Sequence, residues 1–324
     1  LRVDLPPLDQ LLVEGAFTAD DMTDLVTVRA DKRDRLGDHE GDREEVVLRG
    51  AAEIDYALAR FVAANCAVAG DSTGTPTPFV LKGGLEIHTC FGGARRSKDA
   101  DLSPSGPGAE IEGLLPPRLI TAPIGMRILE PTQTTEDGWR VPIEFTTTVG
   151  GDVATVICDL NNDRRPVRRR PAIARPFVTP FTTIPPTVWV VRPEEMIGEK
   201  ISAVLRRRNG RLRDIFDIDH LLSRSVELDL DVKVIREVAI EAISELVAHD
   251  NLRLEVRELI EKRTLSEGDV LWVRAEIRRI GSNARPKDWK AQVADVVPGA
   301  ASAADVTNSL MAHWEALNLL DPVA

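Results

Sequence analysis

The chain has 324 residues, 43% of them hydrophobic and 29% charged, with a formal net charge of −11. That length buries a substantial core and allows two or three packed units, while the acidic balance argues against nucleic-acid binding over the whole surface. No apolar run reaches a bilayer-spanning length and the first residues carry no secretory signal pattern, so the expectation is a cytoplasmic protein with no membrane partner. Cys66, Cys90 and Cys158 are few and widely spaced. They imply a reducing compartment and are read as small buried hydrophobes rather than a disulfide scaffold or a thiolate metal site.

Residues 1–70 are expected to form a mostly helical extension. From Arg43 to about Ala69 the apolar positions Val46, Val47, Ile54, Ala57, Leu58, Phe61 and Val62 recur at helical spacing. Residues 71–192 are assigned to a core domain. It begins with a loop from Gly70 to Pro78 and the buried strand end "PFVLKGG". "GLEIHTCFG" follows as a short helix, and "DADL" as an extended segment. After a polar loop, "IGMRILEP" and "WRVPIEFTTTVG" read as strands joined by the turn "TQTTEDG". In the second, Val141, Ile143 and Phe145 share one face and Glu144 lies on the other. An Arg/Pro-rich connector leads to the strand "TVWVVRP".

Residues 193–324 are assigned to a mostly helical C-terminal domain. "PEEMIGEKISAVLRRR" places proline and two glutamates at a helix start and arginines at its end, as the helix dipole favours. "RDIFDIDHLLSR", residues 232–263 and residues 303–320 also read as helical, while "GDVLWVRAEIRRI" fits strand or helix. Between residues 161 and 213 there are 13 Lys and Arg against 4 Asp and Glu. This basic stretch in an acidic chain suits a phosphate-bearing partner at one face.

Chemistry concentrates in "FVLKGGLEIHTCFGGARRSKDADL", residues 79–102. On an extended strand Asp99 and Asp101 point the same way, and two carboxylates at a strand end favour a divalent cation such as Mg²⁺ or Mn²⁺. Glu144, on the polar face of another strand, is the candidate third carboxylate. Gly83 and Gly84 at a helix entrance let backbone N–H groups approach a polyphosphate. Neither a P-loop nor a dinucleotide fingerprint is present.

Lys-Gly-Gly, a short helix and then Arg-x-Ser-x-Asp-x-Asp resembles the first motif of the nucleotidyltransferase AbiEii/AbiGii toxin family, within the DNA polymerase beta-like nucleotidyltransferase superfamily. "EEMIGEKISAVLRRRNGRLRDIFDIDHL" is similar to that family's Glu-Lys helix followed by Arg-Asp-x-aromatic-Asp. The resemblance covers roughly residues 79–222. Ala100 departs from it, being smaller than the branched residue common between the two aspartates.

The resemblance implies an α/β (α+β) fold with a polymerase beta-like core and mixed sheet, a helical N-terminal region and a largely helical C-terminal lobe. It makes Asp99 and Asp101 metal ligands and catalytic residues, with Glu144 as a third on superfamily geometry. Lys82, Gly83, Gly84, Arg96, Ser97 and Lys200 would bind the NTP co-substrate. Lys200 would also neutralise phosphate charge, and Asp214 would complete the site. Read from the residues alone, Lys200 could equally be solvated and Asp214 could pair with Arg211 or Arg213. The implied activity is metal-dependent transfer of NMP from NTP to RNA, at the 3′ end of tRNA, by the toxin of a toxin–antitoxin pair with a cognate antitoxin as partner. A nucleotidyltransferase acting on a protein or small-molecule hydroxyl is the second reading. A catalytically inactive binding or immunity protein is the third.

Overall fold

Alternation of apolar and polar residues through the middle of the chain builds a single sheet. The computed structural model describes residues 54, 57–68, 79–95, 97, 99–104, 120–135, 138–146, 153–161, 169–173, 187–206, 211–245, 267–294, 297 and 299–319. The chain divides into two compact units. One holds the described residues up to Gly92 together with Ser97–Val190, and the other holds Gly93–Arg96 with Val191–Ala324.

In the first unit a helix, α1 (residues 57–66), precedes the short strand β1 (Val80–Lys82). The chain turns directly into α2 (Gly83–Cys90) and returns as β2 (Asp99–Ser103). Then come β3 (Met126–Ile128), β4 (Thr132–Thr135), β5 (Gly138–Thr146), β6 (Val153–Asn161), β7 (Arg169–Ile173) and β8 (Thr187–Val191). The sheet order is β3-β5-β6-β2-β1-β8-β7, with β4 paired to β5. It is mixed: β2 runs parallel to β6 and antiparallel to β1, while β1 runs parallel to β8.

One face of this sheet is apolar. Ala100 and Leu102 on β2, Val141 and Ile143 on β5, and Val156, Cys158 and Leu160 on β6 are all buried. Leu58, Phe61 and Val62 of α1 and Leu85 and Ile87 of α2 add to the core. Burying that many aliphatic side chains, at ~1.5–3 kcal/mol each, sets the register, because a one-residue slip would expose a whole face.

The second unit is helical among its described residues. Its elements are α3 (Pro193–Arg206), α4 (Arg211–Ser223), α5 (Ser225–Leu228), α6 (Val232–Glu245) and α7 (Glu267–Ser282). α8 (Pro286–Trp289) runs into a π-helical turn (Lys290–Ala294), and α9 (Ala303–Ala316) is the last described helix. α3 packs on α4 and α6, and α9 packs on α4 and α7. Ile197, Ile201, Ile215, Ile218, Leu222, Ile235, Val238, Val273, Ile277, Leu310 and Trp314 form the core. Ser302 caps α9 by accepting the Asp305 N–H at 3.2 Å.

Several elements differ from the sequence expectation. "TQTTEDG" is not merely a turn, since Thr132–Thr135 pairs with β5. "GDVLWVRAEIRRI" is helical, within α7. β6 was not anticipated, although it pairs along its length with β5. Val46, Val47 and residues 246–263 lie outside the described residues. Among the described residues no helix is long and apolar enough to cross a membrane.

Candidate active site

Three consecutive features of the first unit place carboxylates and backbone N–H groups at one spot. β1 ends at Lys82, whose register partner on β2 is Asp101. The next residue, Gly83, has φ +78°, a conformation that side-chain-bearing residues rarely adopt, and begins α2. A Cβ on Gly83 would lie 2.2 Å from Asp101 Oδ2, so only glycine leaves this approach open. Gly84 is buried in the same first turn, where the positive end of the helix dipole favours anions.

Asp99 and Asp101 alternate with the buried Ala100 and Leu102, which puts both carboxylates on the polar face of β2, each half-buried. Ser97 is buried, and its hydroxyl donates to Asp99 Oδ1 at 2.8 Å. That bond restrains the Asp99 carboxylate from the neighbouring loop. Arg96 lies outside the described residues.

The structure brings a different third carboxylate to this pair. β6 lies beside β2, and Asp159 is the register partner of Asp101. Neighbouring strands are about 5 Å apart, so two carboxylates in register repel by about 3 kcal/mol at an effective dielectric of about 20. Arg140 on β5 answers part of that charge. Its Nε donates to Asp159 Oδ1 at 2.9 Å and its terminal nitrogen to Oδ2 at 3.1 Å.

Glu144 sits elsewhere. β6 separates its strand from β2, its register partner is Thr155, and Arg127 donates to its Oε1 from two nitrogens at 3.1 and 2.8 Å. By register it is Asp159, and not Glu144, that lies on the strand beside Asp101. The alternation of Val156, Cys158 and Leu160 with Ile157 and Asp159 was the sequence signal that could have found it.

The paired aspartates and the in-register Asp159 offer the carboxylate oxygens that a hard divalent cation takes, and the missing Cβ of Gly83 makes room for the Asp101 carboxylate. Among the described residues no group of three or more His, Cys, Asp or Glu side chains stands close enough together to hold a metal ion. Both oxygens of Asp159 are engaged by Arg140. The cysteines offer no alternative chemistry. Burial first, then Glu86, pushes the Cys90 thiol up to about 12, and burial pushes Cys66 and Cys158 well above the ordinary thiol value.

In the second unit, α3 and α4 build a buried ion network. Lys200 Nζ donates to Asp214 Oδ1 at 3.0 Å and to Asp217 Oδ2 at 2.8 Å. Arg95 grips the same Asp217 with two hydrogen bonds, at 2.9 and 2.7 Å. Lys200 is thus neither solvated nor left to phosphate alone, and Asp214 is one of its two carboxylate partners. Burial pulls the Lys200 ammonium down, but Asp217 and Asp214 outweigh it and raise it above the ordinary lysine value. Burial likewise works against the Asp217 carboxylate, yet Lys200 and then Arg95 hold it down at about 2. Arg95, two residues before Ser97, is the arginine at the Arg-x-Ser spacing, and the sequence reading had assigned no role to it.

Comparison with known proteins agrees with the motif reading. A family model described as nucleotidyl transferase AbiEii toxin, type IV toxin–antitoxin system, matches residues 73–316. The nucleotidyltransferase toxin MenT4 of Mycobacterium tuberculosis H37Rv is similar in structure, with a TM-score of 0.46 and 19% identity over 81% of this chain and 93% of that one. JHP933 of Helicobacter pylori gives a TM-score of 0.42 and 13% identity over 87% of this chain and 93% of that one. No curated protein matches the chain.

Proposed function

The chain belongs to the AbiEii nucleotidyltransferase toxin family of type IV toxin–antitoxin systems, and on that premise we propose that it transfers NMP from an NTP to a hydroxyl of RNA, at the 3′ end of tRNA, in a divalent-metal-dependent reaction. The observation that carries this reading is the Gly83–Asp101 approach beside Asp99 and Asp159. It combines a helix N-terminus for phosphate with carboxylates for a cation.

Asp99, Asp101 and Asp159 would hold Mg²⁺ or Mn²⁺. When bound, the cation lowers the cost of deprotonating the acceptor hydroxyl and offsets charge on the departing pyrophosphate. Gly83 and Gly84 present backbone N–H groups to the triphosphate, and Ser97 keeps Asp99 in place. The acceptor oxygen bonds to the α-phosphorus as the bond to pyrophosphate breaks, and the hydroxyl proton departs to solvent. Most of the work is positioning and charge stabilisation, as in phosphoryl transfer generally. To Lys200 the proposal gives the role of offsetting phosphate charge, and to Asp214 that of fixing its ammonium. The buried hydrogen bonds between them support a lysine that stays charged. Lys82 and Arg96 remain assigned to phosphate.

The basic stretch of residues 161–213 favours RNA over a cationic small molecule as acceptor, through salt-dependent phosphate contacts. A family antitoxin is the expected partner.

The reading is tested by incubating the protein with Mg²⁺, total RNA and each α-labelled NTP in turn. Label in a tRNA-sized band, absent with Asp99→Asn, is the expected result. Label in protein instead would move the acceptor to a side-chain hydroxyl, and NTP binding without any transfer would point to an inactive fold.

A further inference from the structure

One row of side chains crosses three strands on the polar face of the first unit's sheet. Asp101 on β2 is in register with Asp159 on β6, and Asp159 with Arg140 on β5. The guanidinium occupies both oxygens of Asp159, at 2.9 and 3.1 Å. The partners differ in freedom. Asp159 is 22% exposed and short, whereas the Arg140 side chain is 55% exposed, on a long stem. Asp99, one register row away, also acts electrostatically on Arg140.

We propose that Arg140 is a displaceable counter-ion of the third carboxylate, holding Asp159 in the resting protein and releasing it when a divalent cation enters between β2 and β6. The proposal rests on the reading of Asp99 and Asp101 as cation ligands. Without a cation, two aspartates in register would repel each other, and the arginine relieves that repulsion. With a cation present, Asp159 has a stronger partner, and an exposed arginine–carboxylate pair is weak enough to give way. The freed guanidinium keeps its charge and remains on the polar face, where its planar fork suits a phosphate. Arg140 then couples cation entry to substrate recognition. It also keeps the site from closing around a cation prematurely.

Binding of Mn²⁺ alone, followed by loss of the free-ion electron paramagnetic resonance signal without nucleotide, tests this. Arg140→Gln should bind Mn²⁺ about threefold more tightly than wild type, the size expected from freeing a carboxylate of one exposed pair. Arg127→Gln removes an equal charge from the neighbouring Glu144 pair and should leave affinity unchanged. In an Asp159→Asn background, Arg140→Gln should give no gain. Because Arg140 and Arg127 are exposed, neither change threatens the fold, and thermal melts verify this. Unchanged or weaker binding by Arg140→Gln overturns the proposal. So does an equal gain in the Asp159→Asn background, which would reflect a general field and not a released ligand. Mn²⁺ binding that survives Asp99→Asn with Asp101→Asn, or no binding by wild type, would instead remove the cation-site reading on which the proposal stands.

Discussion

Gly83 and Asp101 stand so close that a methyl group on the glycine would fall 2.2 Å from the Asp101 carboxylate oxygen. Two demands meet at this glycine: a left-handed backbone, φ +78°, and an empty side. Gly125 has nearly the same backbone, φ +75°, but nothing within 4 Å of its would-be Cβ. Gly83→Ala should therefore lose more than tenfold in transfer activity, because the Asp101 side chain must move. Gly125→Ala should show only the backbone cost, about 1 kcal/mol of stability. Steady-state rates and thermal melts of the two variants separate strain from collision.

The register of β2, β6 and β5 makes opposite forecasts for two acidic residues. Asp159→Asn removes the carboxylate opposite Asp101 and should reduce transfer by about 100-fold or more, a loss typical of removing one charge-stabilising group. Glu144→Gln breaks only an exposed pair with Arg127, worth at most about 1 kcal/mol, and should leave the rate within about twofold of wild type. Parallel rate measurements decide which residue is the third carboxylate.

Asp217 is buried and held at about 2 by Lys200 and Arg95, against an ordinary 3.8. Because the folded value is depressed, the stabilisation is complete above about pH 4 and is lost as pH falls through 2. Its size is about 2 kcal/mol. Asp217→Asn should flatten that part of the stability profile. Near neutral pH it should cost about 3 kcal/mol, since it leaves Lys200 and Arg95 without their shared partner. Urea unfolding from pH 2 to 7 measures both effects.

In the second unit, α3 and α6 approach through Gly198. A Cβ there would lie 2.8 Å from the Ala239 backbone nitrogen and 2.8 Å from Val238 Cβ. A backbone atom cannot yield as a flexible side chain can, so Gly198→Ala should destabilise by about 1–3 kcal/mol. A lowered unfolding midpoint checks this, and an unchanged midpoint would mean that the helices separate freely.

Much of this was legible in the sequence, for identifiable reasons. Lys82–Gly83–Gly84 and the Asp99–Asp101 spacing carry local chemistry, so their placement on a strand end, a helix start and a second strand followed directly. The apolar period of Val141, Ile143 and Phe145 showed the buried face of β5. What was missed depends on pairing rather than on local pattern. Asp159 matters only because β6 lies beside β2, a parallel neighbour 58 residues later in the chain, and no local signal states that adjacency. Glu144 follows from the face of its strand, whereas the strand order that sets β6 between it and β2 is not a local signal. Arg95 was hidden for the same reason: its partner, Asp217, is 122 residues away. The Lys200–Asp214 pair follows from the packing of α3 on α4, which periodicity shows as two faces without saying that they meet.

The central claim is nucleotidyl transfer to an RNA 3′ hydroxyl directed by Asp99 and Asp101. The most direct measurement is transfer from an α-labelled NTP to purified tRNA, with and without prior periodate oxidation of the terminal ribose, for wild type and Asp101→Asn. Label that depends on both the intact ribose and Asp101 is the predicted result. Label that survives oxidation would place the acceptor elsewhere, and label that survives Asp101→Asn would contradict the site itself.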